Sequence, residues 1–128
     1  GALLNYTTKT MTMDLWDPTL PIYLQLRARV VHHILSGTLA EGQAVPSVRQ
    51  VAADEKINPI TISKAYQMLV DEGLLEKRRG LGMFVSVGAK ERALQDEREI
   101  FLTREWPKVL ARIQNLGLDP AQLIKGAK

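Results

Sequence analysis

Cysteine is absent from the 128 residues of this chain. Its absence excludes disulfide scaffolds, zinc fingers built on thiolates and thiol catalysis, and it permits a reducing cytoplasm. Long apolar runs are missing too, because none approaches the roughly 20 residues that a transmembrane helix needs. No apolar leader with a small-residue cleavage site opens the sequence. We therefore expect a cytoplasmic protein that does not span a membrane.

Patterns typical of catalytic and metal sites are equally scarce. The adjacent acids Asp71-Glu72 have no His, Ser or Lys at a catalytic spacing, and Gly80-Leu81-Gly82 lacks the third glycine of a nucleotide loop. His32 and His33 are neighbours, which would point them about 100° apart on a helix and away from one metal ion. We predict no enzyme activity, no cofactor and no metal.

The overall charge is modestly positive. Seventeen Lys and Arg against 14 Asp and Glu give a net charge of +3 and a pI near 9.3. An apolar content of 45% is typical of a foldable chain with one domain, or a small domain and an appendage. The positive excess indicates a polyanionic partner only if it is concentrated on one surface.

The chain divides into three parts. Residues 1–12 lack apolar periodicity, and Gly1-Ala2 precedes two closely spaced methionines, Met11 and Met13, so we expect a cloning remnant or a disordered leader. Residues 13–88 carry strong helix and strand patterns and are predicted to form one domain. Residues 89–128 are predicted to form a helical tail.

Three helices are predicted in the central domain. The first begins within Asp17–Pro21 and keeps apolar side chains at three- and four-residue steps to Ser36-Gly37. Ser47 is the N-cap of a second helix of about nine residues. Asn58-Pro59 caps the third helix, which reaches Glu72 and is stopped by Gly73. The buried positions predicted for the third helix are Ile62, Ala65, Leu69 and Val70.

A basic β-hairpin is predicted to follow. Its strands are Leu75–Arg78 and Met83–Val87, and the glycines of Arg79–Gly82 can take the positive φ that the turn requires. From Ala89 the pattern is helical again, with Pro107 predicted to kink or restart the helix. Gly117 ends this run, and Asp119-Pro120 caps a last short helix. The apolar positions predicted to need a partner surface are Phe101, Leu102, Trp106, Val109, Ile113 and Leu116.

This order of elements predicts a winged helix-turn-helix, in which the third helix enters a DNA major groove. The residues predicted on the outward side of the third helix are Ile60, Thr61, Ser63, Lys64 and Gln67. Unpaired N–H groups near Asn58–Thr61 are expected to suit a phosphate. Arg49 could clamp the DNA backbone from the second helix, and Lys77–Arg79 could reach phosphates or the minor groove from the wing. Binding of one DNA duplex by both elements requires the third helix and the wing tip to face the same way.

Four motifs carry a family resemblance: VPSVRQVA at 45–52, NPITISKAY at 58–66, LVDEGLL at 69–75 and RRGLGMFV at 78–85. Over about Pro21 to Val87 they resemble the DNA-binding domain of the GntR family of bacterial transcription regulators. The short helical tail resembles the YtrA subfamily. Two positions depart from the pattern: Ile60 replaces a common polar residue, although an apolar side chain can contact a thymine methyl, and Met83 replaces a small polar one.

The resemblance implies a homodimeric repressor that binds a palindromic operator and controls a transporter operon and its own gene. The resemblance assigns DNA contacts to Arg49, Asn58, Thr61, Ser63, Lys64, Arg79 and Gly80, and the predicted surfaces of the third helix and the wing add Ile60, Gln67 and Arg78. Two alternatives stay open at this point. One is a winged-helix module that binds protein, and the other is a metabolite-responsive regulator whose effector binds a tail cleft lined by Phe101 and Trp106.

Overall fold

The structure is a computed structural model that describes residues 16–126. It divides into two compact units, one ending at Ala93 and the other beginning at Leu94. The predicted leader, residues 1–12, lies outside the described residues, and the predicted domain bounds stay a prediction. The predicted fold class, mainly α with a small β-hairpin and a helical tail, is confirmed.

Helix α1 spans Ile22–Ser36 and ends at Gly37, whose φ of 85° is left-handed. The prediction that it begins within Asp17–Pro21 is wrong. The Asp17 carboxylate instead accepts the N–H and the hydroxyl of Thr19, at 2.8 and 2.6 Å, which closes a local turn. Pro21 then has a ψ of 136°, outside the helical range, so the helix begins one residue later.

Helix α2 spans Val48–Glu55 and helix α3 spans Pro59–Asp71. Ser47 caps α2 as predicted, because its hydroxyl accepts the N–H of Gln50 at 3.1 Å. Lys56 joins the helices in a left-handed conformation with a φ of 56°. The α3 residues that pack into the core are Ile62, Ala65, Tyr66 and Leu69. Tyr66 was not among the predicted buried positions, and the predicted Val70 is only half-buried.

The wing is the antiparallel hairpin of β1 (Leu75–Arg78) and β2 (Gly82–Val85), with Leu75 opposite Val85. Strand β2 ends at Val85 and not at Val87, because Ser86 donates to Leu74 and the next residues turn toward helix α4. The loop before α2 adds to the free edge of β2, an addition that the sequence did not predict. Its contacts are Gly42 N–H to Val85 O, Val85 N–H to Gln43 O and Val45 N–H to Met83 O.

Helix α4 spans Ala89–Ile100, and its first turns belong to the first unit. Ala89 and Ala93 are buried there. The carboxylate of Glu41 accepts the N–H groups of Gly88 and Lys90, at 2.8 and 3.3 Å, and so caps the helix from a distant loop. The start of α4 therefore belongs to the core of the first unit.

The second unit continues through a π-helical turn, Phe101–Glu105, into helix α5, Trp106–Asn115, and helix α6, Pro120–Gly126. Pro107 has no N–H, so the regular helical bond to Thr103 cannot form, and the chain restarts after the wider turn, as the proline predicted. None of residues 94–126 is buried. Between residues 16 and 126, each helix is either too short or too polar to cross a membrane.

Candidate nucleic-acid interface

The outward side of α3, here called the reading face, consists of Ile60, Thr61, Ser63, Lys64 and Gln67. Thr61 is half-buried and the other four are exposed, so these side chains lie outward as predicted. Ile60 is 75% exposed although it is a large apolar residue. Such exposure has no use in the packing of this unit, and it favours contact with another molecule.

Two of the N–H groups at the start of α3 are paired within the chain. Asn58 accepts the N–H of Ile60 on its side-chain oxygen and the N–H of Thr61 on its carbonyl, each at 2.9 Å. Pro59 has no N–H to give. A phosphate contact near Asn58–Thr61 stays a prediction. The side-chain NH₂ of Asn58 takes no part in this cap.

Two long-range contacts fix the orientation of α3. The hydroxyl of Tyr66 donates to the carbonyl of Pro46 at 2.7 Å, which ties α3 to the loop that begins α2. Burial raises the pKa of the Tyr66 phenol well above its usual value, so the phenol stays protonated and able to donate. At the other end of α3, Arg27 of α1 binds both carboxylate oxygens of Glu72. The reading face is thus held on a rigid frame.

Two members of the reading face already have contacts within the chain. The ammonium of Lys64 lies 3.9 Å from the centre of the Tyr23 ring on α1. The side-chain amide of Gln67 donates to Asp71 at 2.9 Å, one helical turn away. Gln67 must exchange that bond to contact a base.

The cations of the wing differ from one another in their surroundings. Arg78 is half-buried, with its guanidinium 4.2 Å from the centre of the Phe84 ring and 2.9 Å from the Glu76 carboxylate. Lys77 and Arg79 are exposed. The tip closes through a Leu81 N–H bond to the Arg78 carbonyl at 2.9 Å, with Gly80 at a φ of 77°, as predicted for a turn glycine.

Leu81 is a further candidate that the sequence reasoning missed. Its side chain is 72% exposed at the tip of the wing, between Gly80 and Gly82. The available signal was a leucine inside a turn of glycines and arginines, where no strand or helix can bury it.

Arg49 is exposed on α2, next to the cap that Ser47 forms. That the reading face and the wing tip lie on one surface stays a prediction.

The predicted dimerisation residues lie in the second unit. Leu102 is 60% and Leu116 is 58% exposed, and Phe101 and Val109 are also exposed. Trp106 and Ile113 are half-buried within the unit. The rings of Phe101 and Trp106 stack at 6.3 Å across the π-helical turn. Most of this apolar stripe therefore faces outward in the single chain.

Three helices followed by a wing, with a polar outward side on the third helix, define a winged helix-turn-helix. The sequence pattern described as "Bacterial regulatory proteins, gntR family" matches residues 22–85, half of the chain. The chain belongs to this GntR family, which confirms the resemblance found in its motifs. Its function is that of a DNA-binding transcriptional regulator.

Relatives in Bacillus subtilis support this assignment. The chain is 34% identical over 109 residues to the uncharacterised HTH-type transcriptional regulator YhcF, a match that covers 84% of this chain and 88% of YhcF. It is 41% identical over 70 residues to the HTH-type transcriptional repressor YtrA, which covers 55% of this chain and 54% of YtrA. The match to YtrA thus spans about half of each protein.

Solved structures are similar as well. A transcriptional regulator from Oenococcus oeni superimposes with a TM-score of 0.71 at 26% identity, covering 87% of this chain and 91% of the other. The DNA-binding domain of AraR in complex with its operator ORR3 gives a TM-score of 0.51 at 31% identity, covering 52% of this chain and 81% of that domain. The tail thus has a counterpart in the first of these structures, which covers most of both chains.

Proposed function

We propose that the chain is a homodimeric repressor that reads a palindromic operator with α3 and grips the DNA backbone with α2 and the wing. The reading face carries the proposal. Its polar and apolar side chains lie on the outward side of α3, whose orientation the bond from Tyr66 to Pro46 helps to fix. YtrA is a repressor by name, and the AraR domain was solved on operator DNA, so both support this proposal.

The reading face has the chemistry for direct base contacts. Lys64 can donate to guanine, and the hydroxyls of Ser63 and Thr61 can donate or accept in the major groove. Ile60 offers an apolar surface to a thymine methyl, which gives its exposure a purpose. The side-chain NH₂ of Asn58 adds a donor at the start of the helix. Base contacts such as these supply sequence specificity, whereas phosphate contacts supply affinity.

We assign the phosphate contacts to Arg49 on α2 and to Lys77 and Arg79 on the wing, because all three are exposed. Gly80 has no Cβ, so the backbone of the tip can approach the DNA closely. Arg78 first has to leave Glu76 and Phe84 if it is to bind DNA. Its predicted DNA contact is therefore weaker than that of Arg79.

Dimerisation explains the second unit. Residues 94–126 bury none of their side chains, although Leu102, Val109 and Leu116 repeat along the helices. An apolar stripe of this kind is stable in water when another surface covers it. A second copy of the chain supplies a matching stripe across a two-fold axis, and the two-fold symmetry of such a dimer matches a palindromic operator.

The proposed targets are a transporter operon and the gene of the regulator itself. The proposal of these target genes rests on the YtrA-type resemblance alone. A protein that regulates a bacterial chromosome works in the cytoplasm, which holds that chromosome.

Selection of bound duplexes from a random pool by the purified protein tests the proposal. We expect enrichment of inverted repeats with a fixed spacing between half-sites, because one dimer presents two identical DNA-binding units, here called heads. A parallel selection with a Ser63→Ala/Lys64→Ala variant is the control and should lose enrichment at specific positions. Failure of the wild-type protein to enrich any sequence would contradict sequence-specific binding. Enrichment of single, unpaired half-sites would contradict the dimer.

A further inference from the structure

The contact between Lys64 and Tyr23 joins an exposed cation on the reading face to the first turn of α1. The ammonium lies 3.9 Å from the ring centre, a distance typical of a cation–π interaction. Tyr23 is half-buried and packs against the core, so its ring has a fixed place. Lys64 is exposed, and its side chain is long and flexible.

A lysine that must find a base from many rotamers loses conformational entropy when it binds. A ring that already holds the ammonium removes part of this loss before the DNA arrives, which strengthens binding without a new contact to DNA. The negative face of the ring also attracts the charge and keeps it near one point of the reading face.

We propose that Tyr23 is a positioning residue for sequence recognition: its ring holds Lys64 where the lysine meets the operator. The proposal rests on the proposed function of Lys64 as a base-contacting residue. Tyr23 belongs to α1, which lies outside the reading face and the wing, and its effect on specificity passes through Lys64.

A double-mutant cycle on operator DNA tests this role. Binding of wild type, Tyr23→Leu, Lys64→Ala and the double variant is measured by fluorescence anisotropy on a duplex from the selection and on a scrambled duplex. We expect Tyr23→Leu to weaken operator binding by about 2- to 5-fold at each half-site, the size of an exposed cation–π contact, and so by roughly 4- to 25-fold for a dimer, with little change on scrambled DNA. In the Lys64→Ala background, Tyr23→Leu should have no further effect, because the residue it positions is gone.

Tyr23→Phe is the matched control, because it keeps the ring and removes the hydroxyl. It should bind like wild type. Equal losses in Tyr23→Phe and Tyr23→Leu would overturn the proposal in favour of a direct contact by the hydroxyl. Additive losses in the cycle would overturn it as well. Tighter binding by Tyr23→Leu would show that the ring holds Lys64 away from DNA, the opposite of the proposed role.

A measurement on the free protein separates this inference from the proposed function. The ε-methylene protons of Lys64 should show an upfield ring-current shift by NMR in wild type and Tyr23→Phe. The shift should be absent from Tyr23→Leu. Lack of the shift in wild type would overturn the positioning role whatever the protein binds. Lack of any sequence preference in wild-type DNA binding, with the shift present, would instead refute Lys64 as a base-reading residue, and the positioning role with it.

Discussion

The salt dependence of DNA binding separates Arg79 from Arg78, two neighbours on the wing. Each DNA-binding unit presents three exposed cations assigned to phosphate contacts: Arg49 on α2, and Lys77 and Arg79 on the wing. Each phosphate contact contributes about 0.9 to the slope of log K against log salt, so three per unit give a slope of about −5 for a dimer. Affinity should then fall roughly 10³-fold between 50 and 200 mM salt.

Replacing Arg79 with alanine removes one such contact from each head. The slope should become shallower by about 1.8 for the dimer. Arg78→Ala is the matched control, because Arg78 already has Glu76 and Phe84 as partners and its loss should leave the slope near that of wild type. The assay is fluorescence anisotropy on one duplex at five or more salt concentrations. An unchanged slope in Arg79→Ala, or a larger change in Arg78→Ala, would refute this assignment of the wing cations.

Two further predictions concern stability and assembly. Tyr66→Phe removes the hydrogen bond to Pro46 and should lower the free energy of unfolding by about 0.5–1.5 kcal/mol, measured by thermal denaturation, with Tyr23→Phe as a control that leaves this bond intact. Equal stability of the two variants would contradict the role of this bond. Val109→Glu with Ile113→Glu should give monomers by light scattering, whereas Val87→Glu, at an exposed valine of the first unit, should not. A stable dimer in the double variant would place the interface elsewhere.

The sequence predicted those features that local chemistry determines. Ser47 and Asn58 cap the helices that follow them, because a side-chain oxygen next to a helix start accepts an otherwise unpaired N–H. Gly73 ends α3, and Gly80 forms the wing tip. Both have positive φ values, which glycine adopts at little cost. Each of the four family motifs contains at least one such cap or turn glycine, and these residues place the ends of the helices and the wing.

Contacts between distant segments were beyond this reasoning. The sequence gives no signal that Tyr23 lies beneath Lys64, or that Glu41 caps α4, because each pair meets only after the chain has packed. The predicted start of α1 was wrong for a local reason, because the turn that Asp17 forms competes with the helix. The Asn58 cap was predicted correctly, but the sequence did not indicate that Asn58 also pairs the N–H groups of Ile60 and Thr61, which lie within the predicted phosphate contact.

The central claim is that α3 reads the sequence while α2 grips the backbone. The most direct test compares Lys64→Ala with Arg49→Ala on the selected operator and on a scrambled duplex of equal length. Lys64→Ala should weaken operator binding more than binding to the scrambled duplex, and Arg49→Ala should weaken both by the same factor. Equal losses on both duplexes for both variants would contradict it.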